Sequence, residues 1–200
     1  MFKTRNFLAA ALAVAATVAL SSCAVGNSDG NSEGSSPSAS ADAGSAVFND
    51  ADVTFAQMMI PHHEQAVQMS DDLLAKDGID QGIASLAVAI KAAQEPEITQ
   101  LKDWLTQWNA NDSGMSGMGD MGGSDGMMSD GDMTAFQDAT GTDAERLFLE
   151  QMTVHHQGAI TMAQLEIDTG ENADAQALAA NIISTQQTEI SVMAQLLTTL

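Results

Sequence analysis

Histidine and methionine are the residues of this chain whose types and spacing could bind a metal. All four histidines of the 200 residues occur as two adjacent pairs, His62 with His63 and His155 with His156. Methionines stand three residues before and seven residues after the first histidine of each pair, namely Met59, Met69, Met152 and Met162. Imidazole and thioether groups suit copper, with thioether favouring Cu(I), whereas oxygen ligands would indicate magnesium, calcium or manganese. The two groups therefore predict copper sites built from these side chains.

A second set of methionines lies between the two histidine pairs, in a stretch dominated by Gly, Ser and Asp. Its members are Met115, Met118, Met121, Met127 and Met128. Met115, Met118 and Met121 are spaced by three residues on a flexible backbone. Their sulfurs could therefore bind one Cu(I) ion together. We predict a lower-affinity capture site there. The alternative is a low-complexity linker whose methionines bind nothing.

The histidine pairs lie on an amphipathic helical pattern. The apolar stripe of the first half steps by four and three residues through Phe55, Met59, His62, Ala66, Met69 and Leu73. This spacing is typical of a helix packed in a bundle, and the second half repeats it. His62 and His155 are therefore expected to face the interior, and the second histidine of each pair should lie about 100° further round its helix.

A histidine in the interior needs a partner, because an unpaired buried polar group costs about 1–3 kcal/mol. The next helix of each half offers Gln94 and Glu97, or Gln186 and Glu189. If a metal is bound, these side chains would orient the imidazoles. If none is bound, the inward histidines would hydrogen-bond to the glutamates, and the methionines would only fill core volume. Both interpretations remain open at the level of the sequence.

The two histidine pairs belong to a duplicated unit. A shift of 93 residues superposes the first pair and its neighbours on the second, and a shift of 92 superposes Gln94 on Gln186 and Glu97 on Glu189. No run of alternating β-branched residues indicates strands. Four long helices in two repeated hairpins therefore predict an all-α four-helix bundle.

Local signals refine this picture of the bundle. The segment 142–145 predicts a capping box at the start of the third long helix. Pro61 and Pro96 lie inside the helices of the first half, where a proline removes a backbone hydrogen bond, so we expect a kink or bulge there. The Met/Gly/Asp-rich linker at 111–133 is expected to form no packed element, because Gly dominates it.

The N-terminal segment has the features of an export signal. Lys3 and Arg5 precede an apolar run over residues 7–20, which is too short for a membrane span. The residues that end in Cys23 resemble a bacterial lipobox. Residues 1–22 are thus predicted to be a signal peptide and Cys23 to be acylated, as with palmitate. The alternative is an ordinary cleaved signal with an incidental cysteine.

The remainder divides into a tether and a domain. Residues 23–46 contain the proposed lipidated cysteine and a Ser/Gly/Asp-rich segment that is too poor in large apolar groups to fold. Residues 47–200 form the duplicated hairpin domain. This organisation predicts a protein held at the extracytoplasmic face of the cell membrane through its lipid anchor only.

Charge and motifs exclude several classes of function. The chain has 6 Lys and Arg against 27 Asp and Glu, a formal charge of −21, so no basic surface is available for nucleic acid. A di-iron bundle requires Glu-x-x-His motifs, and neither histidine pair has a glutamate three residues before it. Nucleophile, phosphate-loop and dinucleotide motifs are missing as well. We therefore predict a protein that is not an enzyme and has no catalytic residues.

The segments 55–66, 94–98, 148–159 and 186–190 resemble the bacterial domain-of-unknown-function family 305 (DUF305). The doubled Met-x-x-His-His element carries this resemblance, which covers about residues 47–200. It implies a ferritin-like helical bundle outside the cytoplasm, with some members tied to copper binding and copper tolerance, and no established catalytic activity. The chain differs from the usual pattern at Glu64, Pro96 and Val154.

These observations together predict a copper-binding lipoprotein that sequesters or buffers copper through sites of histidine and methionine. Its partners would be the metal ion and the membrane, with another envelope protein or a second copy of the chain as a further partner. The alternative is a metal-free helical interaction module of the cell envelope, in which the same side chains form only core. A third possibility is a redox enzyme that uses bound copper.

Overall fold

The structure is a computed structural model that describes residues 47–110 and 126–200. Five helices form in chain order: α1 (Asp50–Leu74), α2 (Gln81–Gln107), α3 (Asp130–Asp138), α4 (Gly141–Thr169) and α5 (Ala173–Leu197). The predicted signal peptide, Cys23, the tether and Met115, Met118 and Met121 lie outside the described residues. Among the helices of the described part, none is both long and apolar enough to span a membrane.

Side-chain caps fix where three of the long helices begin. Asn49 and Asp52 form a capping box at α1, Asp80 accepts hydrogen bonds from the first backbone N–H groups of α2, and Asn172 does the same for α5. The capping box predicted at 142–145 is wrong, since α4 starts after Thr140 without a side-chain cap.

The long helices form two hairpins, as predicted. α1 packs along α2 and α4 along α5, the hairpins meet along α1 and α4, and α2 scarcely touches α5. The all-α bundle of two repeated hairpins is thereby confirmed. Pro61 and Pro96 lie inside α1 and α2, which remain helical on both sides of them.

The core consists of two apolar clusters separated by a polar layer. The first cluster includes Phe55 and Trp104, and the second includes Leu73 and Phe148. Between them, at the middle of each long helix, lie buried polar side chains: His62, His63, Gln94, His155, His156 and Gln186. Because buried polar side chains need partners, this layer is the part of the core whose composition requires an explanation beyond packing.

The expectation that the linker at 111–133 forms no packed element is wrong for its end. Ser129 and Asp132 form a capping box that starts α3, and Phe136 is fully buried with its ring 6.1 Å from that of Phe148. Lys76 donates to the carbonyls of Gln137 and Ala139 at 2.7 and 2.8 Å, which holds the end of α3. One buried phenylalanine and two caps are thus enough to order a short helix in a Gly-rich context.

Candidate metal centre

Four imidazoles form a row across the middle of the bundle. At the centre, the rings of His62 and His155 lie against each other, with centroids 3.7 Å apart and planes tilted by 37°. His63 and His156 continue the row on either side, each with its ring centroid 6.4 Å from that of its sequence neighbour. The row is symmetric because the two antiparallel helices α1 and α4 carry equivalent residues of the repeat.

The outer histidines are held by glutamates of the second helix in each hairpin. His63 Nε2 lies 2.8 Å from Glu97 Oε2, and His156 Nε2 lies 2.7 Å from Glu189 Oε2. When Nε2 of a neutral imidazole donates to a carboxylate, Nδ1 of the same ring keeps its lone pair. The sequence assigned these glutamates to the inward histidines. The step of about 100° between neighbouring residues instead turns the second histidine of each pair towards them.

The polar layer contains side-chain atoms without hydrogen-bond partners. Within the described residues, no partner is found for Nδ1 of His63 and of His156, for either amide atom of Gln94, or for Oε1 of Gln186. All four side chains are almost completely buried. Leaving such atoms unsatisfied costs about 1–3 kcal/mol each, which makes them candidates for contacts with a ligand.

The centre of the row favours neutral imidazole. Burial lowers the pKa of His155 well below its ordinary value, and the neighbouring His62, His156 and His63 lower it further. A neutral imidazole is the form that coordinates metal ions. The ring therefore needs no deprotonation before it can act as a ligand.

Two of the predicted thioether ligands adjoin the row and two do not. Met59 and Met152 are fully buried and belong to the first and the second apolar cluster, so one lies on each side of the polar layer. Met69 and Met162 are seven residues from His62 and His155, which corresponds to about 10 Å along a helix. The structure thus brings Met59 and Met152 within one turn of the imidazoles.

The donor set determines which ions fit. Within residues 47–110 and 126–200, no three side chains of His, Cys, Asp or Glu are arranged to hold one metal ion. The imidazole nitrogen and thioether sulfur atoms of this layer are those of the four histidines and of the adjoining Met59 and Met152. Such a set fits a soft ion of low coordination number and not an ion that requires six or more oxygens.

Met127 and Met128 lie beside α1 and α4. Both side chains are half-buried, and Met128 packs against the second apolar cluster. The backbone of Met128 exchanges two hydrogen bonds with the side chain of Gln65, at 2.9 and 2.7 Å. Gln65 was missed by sequence reasoning, because no local pattern signals a contact over 63 residues.

A buried acid pair was also missed. Asp52 accepts from the backbone N–H groups of Glu171 and Asn172 at 3.2 and 2.9 Å. Glu166 lies against it, and burial together with Asp52 raises the pKa of Glu166 to about 8. The repeat could have signalled this site, since the position equivalent to Glu166 in the first half is the apolar Leu73.

Comparison with known proteins matches the fold of this chain to solved structures. The structure of a DUF305 fragment from Deinococcus radiodurans is 29% identical, with a TM-score of 0.70, and the match covers 76% of this chain and 98% of that one. A putative secreted DUF305 protein from Streptomyces coelicolor is 32% identical, with a TM-score of 0.68 and coverages of 74% and 91%. No curated protein matches the chain.

A third relative has been solved with metals. CopM in its Cu(I)-bound form is 31% identical, with a TM-score of 0.61, and the match covers 72% of this chain and 93% of CopM. CopM has also been solved in Cu(II)-bound, silver-bound and apo forms. The family model described as "Domain of unknown function (DUF305)" matches residues 52–197. The chain therefore belongs to the DUF305 family, as its doubled Met-x-x-His-His element predicted.

Proposed function

We propose that the protein binds copper in the polar layer and sequesters or buffers it outside the cytoplasm. The observation that carries this proposal is the row of four buried imidazoles, whose outer members keep unpartnered Nδ1 atoms. His62, His63, His155 and His156 are the proposed nitrogen ligands. The copper-bound forms of CopM support the same choice of metal.

Sulfur ligands would come from the methionines of the helices. Met59 and Met152 adjoin the row and are the nearest candidates, whereas Met69 and Met162 would require a displacement along the helices. Thioether sulfur carries no proton and selects Cu(I), so it suits an acidic or oxidising compartment in which a thiol would be lost. The linker methionines, of which Met127 and Met128 are described, would form the lower-affinity capture site.

The glutamates and glutamines of α2 and α5 would position the imidazoles. Glu97 and Glu189 fix the tautomer of the outer histidines, and Gln94 and Gln186 offer buried amides beside them. The apolar clusters on either side keep water away from the layer.

Competition between the purified protein and a chromogenic Cu(I) chelator tests the proposal. We expect tight Cu(I) binding by the natural protein, and a loss of at least tenfold in affinity for the double variant His62→Gln/His155→Gln. The volume-conserving variant Met59→Leu/Met152→Leu should also weaken binding, whereas Met58→Leu, at an exposed position, should not. Unchanged binding after replacement of all four histidines would refute the proposed site.

Export and anchoring are part of the proposal. Cys23 would carry the lipid that holds the domain at the outer face of the cell membrane, with the tether between them. Replacement Cys23→Ser should release the protein from the membrane fraction into the medium. Retention of the variant in the membrane fraction would contradict lipid anchoring.

A further inference from the structure

Residues 126–129, here called the strap, cross the surface where the two hairpins meet. The Gln65 side chain on α1 holds the strap from one side: its Nε2 donates to the Met128 carbonyl at 2.9 Å, and its Oε1 accepts from the Met128 N–H at 2.7 Å. Both polar groups of that residue's backbone are thereby satisfied by one side chain. These two hydrogen bonds fix the position of the Met128 backbone relative to α1.

On the other side, the strap lies directly on the backbone of α4. Gly126 has φ +78°, and a Cβ added there would lie 2.5 Å from the Val154 carbonyl oxygen and 3.1 Å from the Gly158 Cα. The close approach thus requires glycine at 126, and the missing side chain of Gly158 leaves room for it. The strap is therefore seated against both helices that carry the histidines.

The two helix residues that the strap contacts, Gln65 and Gly158, occupy equivalent positions of the repeat. Gln65 and Gly158 are 93 residues apart, and each lies three residues after the first histidine of its pair. Positions three residues apart share one face of a helix. The strap thus passes over the interface of α1 and α4 within a turn of the central pair, His62 and His155. The repeat has diverged at these positions: Gln65 hydrogen-bonds to the strap, and Gly158 leaves space for it.

The geometry points to the strap as a movable cover that controls the access of copper to the central imidazole pair. This inference rests on the proposed function and adds its regulation. The contacts of the strap include the two hydrogen bonds of Gln65, the close approach of Gly126 to α4 and the packing of Met128 against the second apolar cluster. The next residues are anchored in α3 by the buried Phe136. Because residues 126–129 belong to no helix, the strap can lift without unfolding the bundle. Met127 and Met128 travel with it and present thioethers to the arriving ion.

The first test needs no metal. Diethyl pyrocarbonate modifies exposed neutral imidazoles, and mass spectrometry of the full chain reports the rate at each histidine. Because Gln65→Ala removes both hydrogen bonds to the strap, it should expose His62 and His155 roughly tenfold more often. The matched control Gln68→Ala, on an exposed face of the same helix, should react as the natural protein does.

The second test measures copper kinetics. Transfer of Cu(I) from the loaded protein to a chelator should be about tenfold faster in Gln65→Ala, while the equilibrium affinity changes less than threefold, because the imidazoles are retained. Gly126→Ala should act likewise, since the added Cβ must lift the strap. If Gln65→Ala and Gly126→Ala both kept the histidine modification rates and the Cu(I) transfer rate of the natural protein, the inference that the strap is a cover would be wrong. Failure of the natural protein to bind copper would instead refute the proposed function, and the modification rates would still decide whether the strap covers the histidines.

Discussion

At the residue scale, the two histidines of each pair have different environments although they are adjacent in sequence. His62 meets His155 across the interface between the hairpins, while His63 meets Glu97 within its own hairpin. The sequence predicted that the histidines and glutamates are neighbours. It could not predict which histidine takes the glutamate, because that depends on how far α1 is rotated against α2 and α4.

The carboxylate of Glu97 should increase the affinity for Cu(I) although it does not itself bind the metal. Glu97→Gln keeps the size of the side chain but no longer requires His63 Nε2 to donate. We expect about tenfold weaker Cu(I) binding, measured by chelator competition, because residues that orient metal ligands have effects of about 10–100-fold. Glu95→Gln, at an exposed position on the same helix, is the control. Equal affinities of both variants would contradict an orienting role.

Glu166 should make the protein less stable as the pH rises. Its pKa is raised from 4.5 to about 8, so the folded state keeps a proton that the unfolded state loses, and stability falls progressively between these two values. Glu166→Gln cannot ionise and should be more stable than the natural protein by roughly 2–4 kcal/mol at pH 8, with little difference near pH 4. Urea unfolding across this range measures the effect, with the exposed Glu171→Gln as control. Parallel stability curves for Glu166→Gln and the natural protein would show that Glu166 is not protonated in the folded state.

At the element scale, the hairpins are tied together by equivalent acids. Asp52 of α1 accepts from the N–H of Asn172, which caps α5, and Glu145 of α4 accepts from the N–H of Asp80, which caps α2, at 2.9 and 2.6 Å. Sequence reasoning placed Glu145 in a capping box of its own helix. That prediction failed because a contact between hairpins leaves no local pattern, whereas the caps Asp80 and Asn172 are local and conform to helix-start rules.

Loss of one such tie should destabilise the fold. Glu145→Ala leaves the Asp80 N–H without its acceptor, so we expect a decrease of about 1–3 kcal/mol in the free energy of unfolding by urea. Glu145→Gln, which can still accept, should recover part of it. Glu150→Ala, at an exposed position of α4, controls for the loss of charge. Equal free energies of unfolding for Glu145→Ala and Glu150→Ala would show that the hydrogen bond from Asp80 to Glu145 contributes nothing to stability.

At the scale of the whole molecule, duplication explains why the polar layer lies at the middle of the bundle. Antiparallel α1 and α4 bring equivalent histidines together at the point about which the hairpins are related, and the apolar residues of each half fill the two ends. The repeat in the sequence was sufficient to predict the fold and the inward position of His62 and His155. The strap and α3 were not predictable, because their order depends on Gln65, Gly158 and Phe148, which are distant in sequence.

Copper should stabilise the whole domain if the layer binds it. A ligand that binds only the folded state raises its stability by about 1.4 kcal/mol for each tenfold excess over the dissociation constant. The melting temperature of the natural protein should therefore rise with the logarithm of the Cu(I) concentration, and that of His62→Gln/His155→Gln should not. A melting temperature of the natural protein that does not change with the Cu(I) concentration would favour the metal-free interaction module.

X-ray absorption at the copper edge of the Cu(I)-loaded protein tests the central claim most directly, because it reports the atoms bound to the metal. We predict a low-coordinate ion with imidazole nitrogen and thioether sulfur, and the loss of the imidazole contribution in His62→Gln/His155→Gln. A spectrum of oxygen ligands alone, or one that the double replacement leaves unchanged, would contradict copper binding in the polar layer.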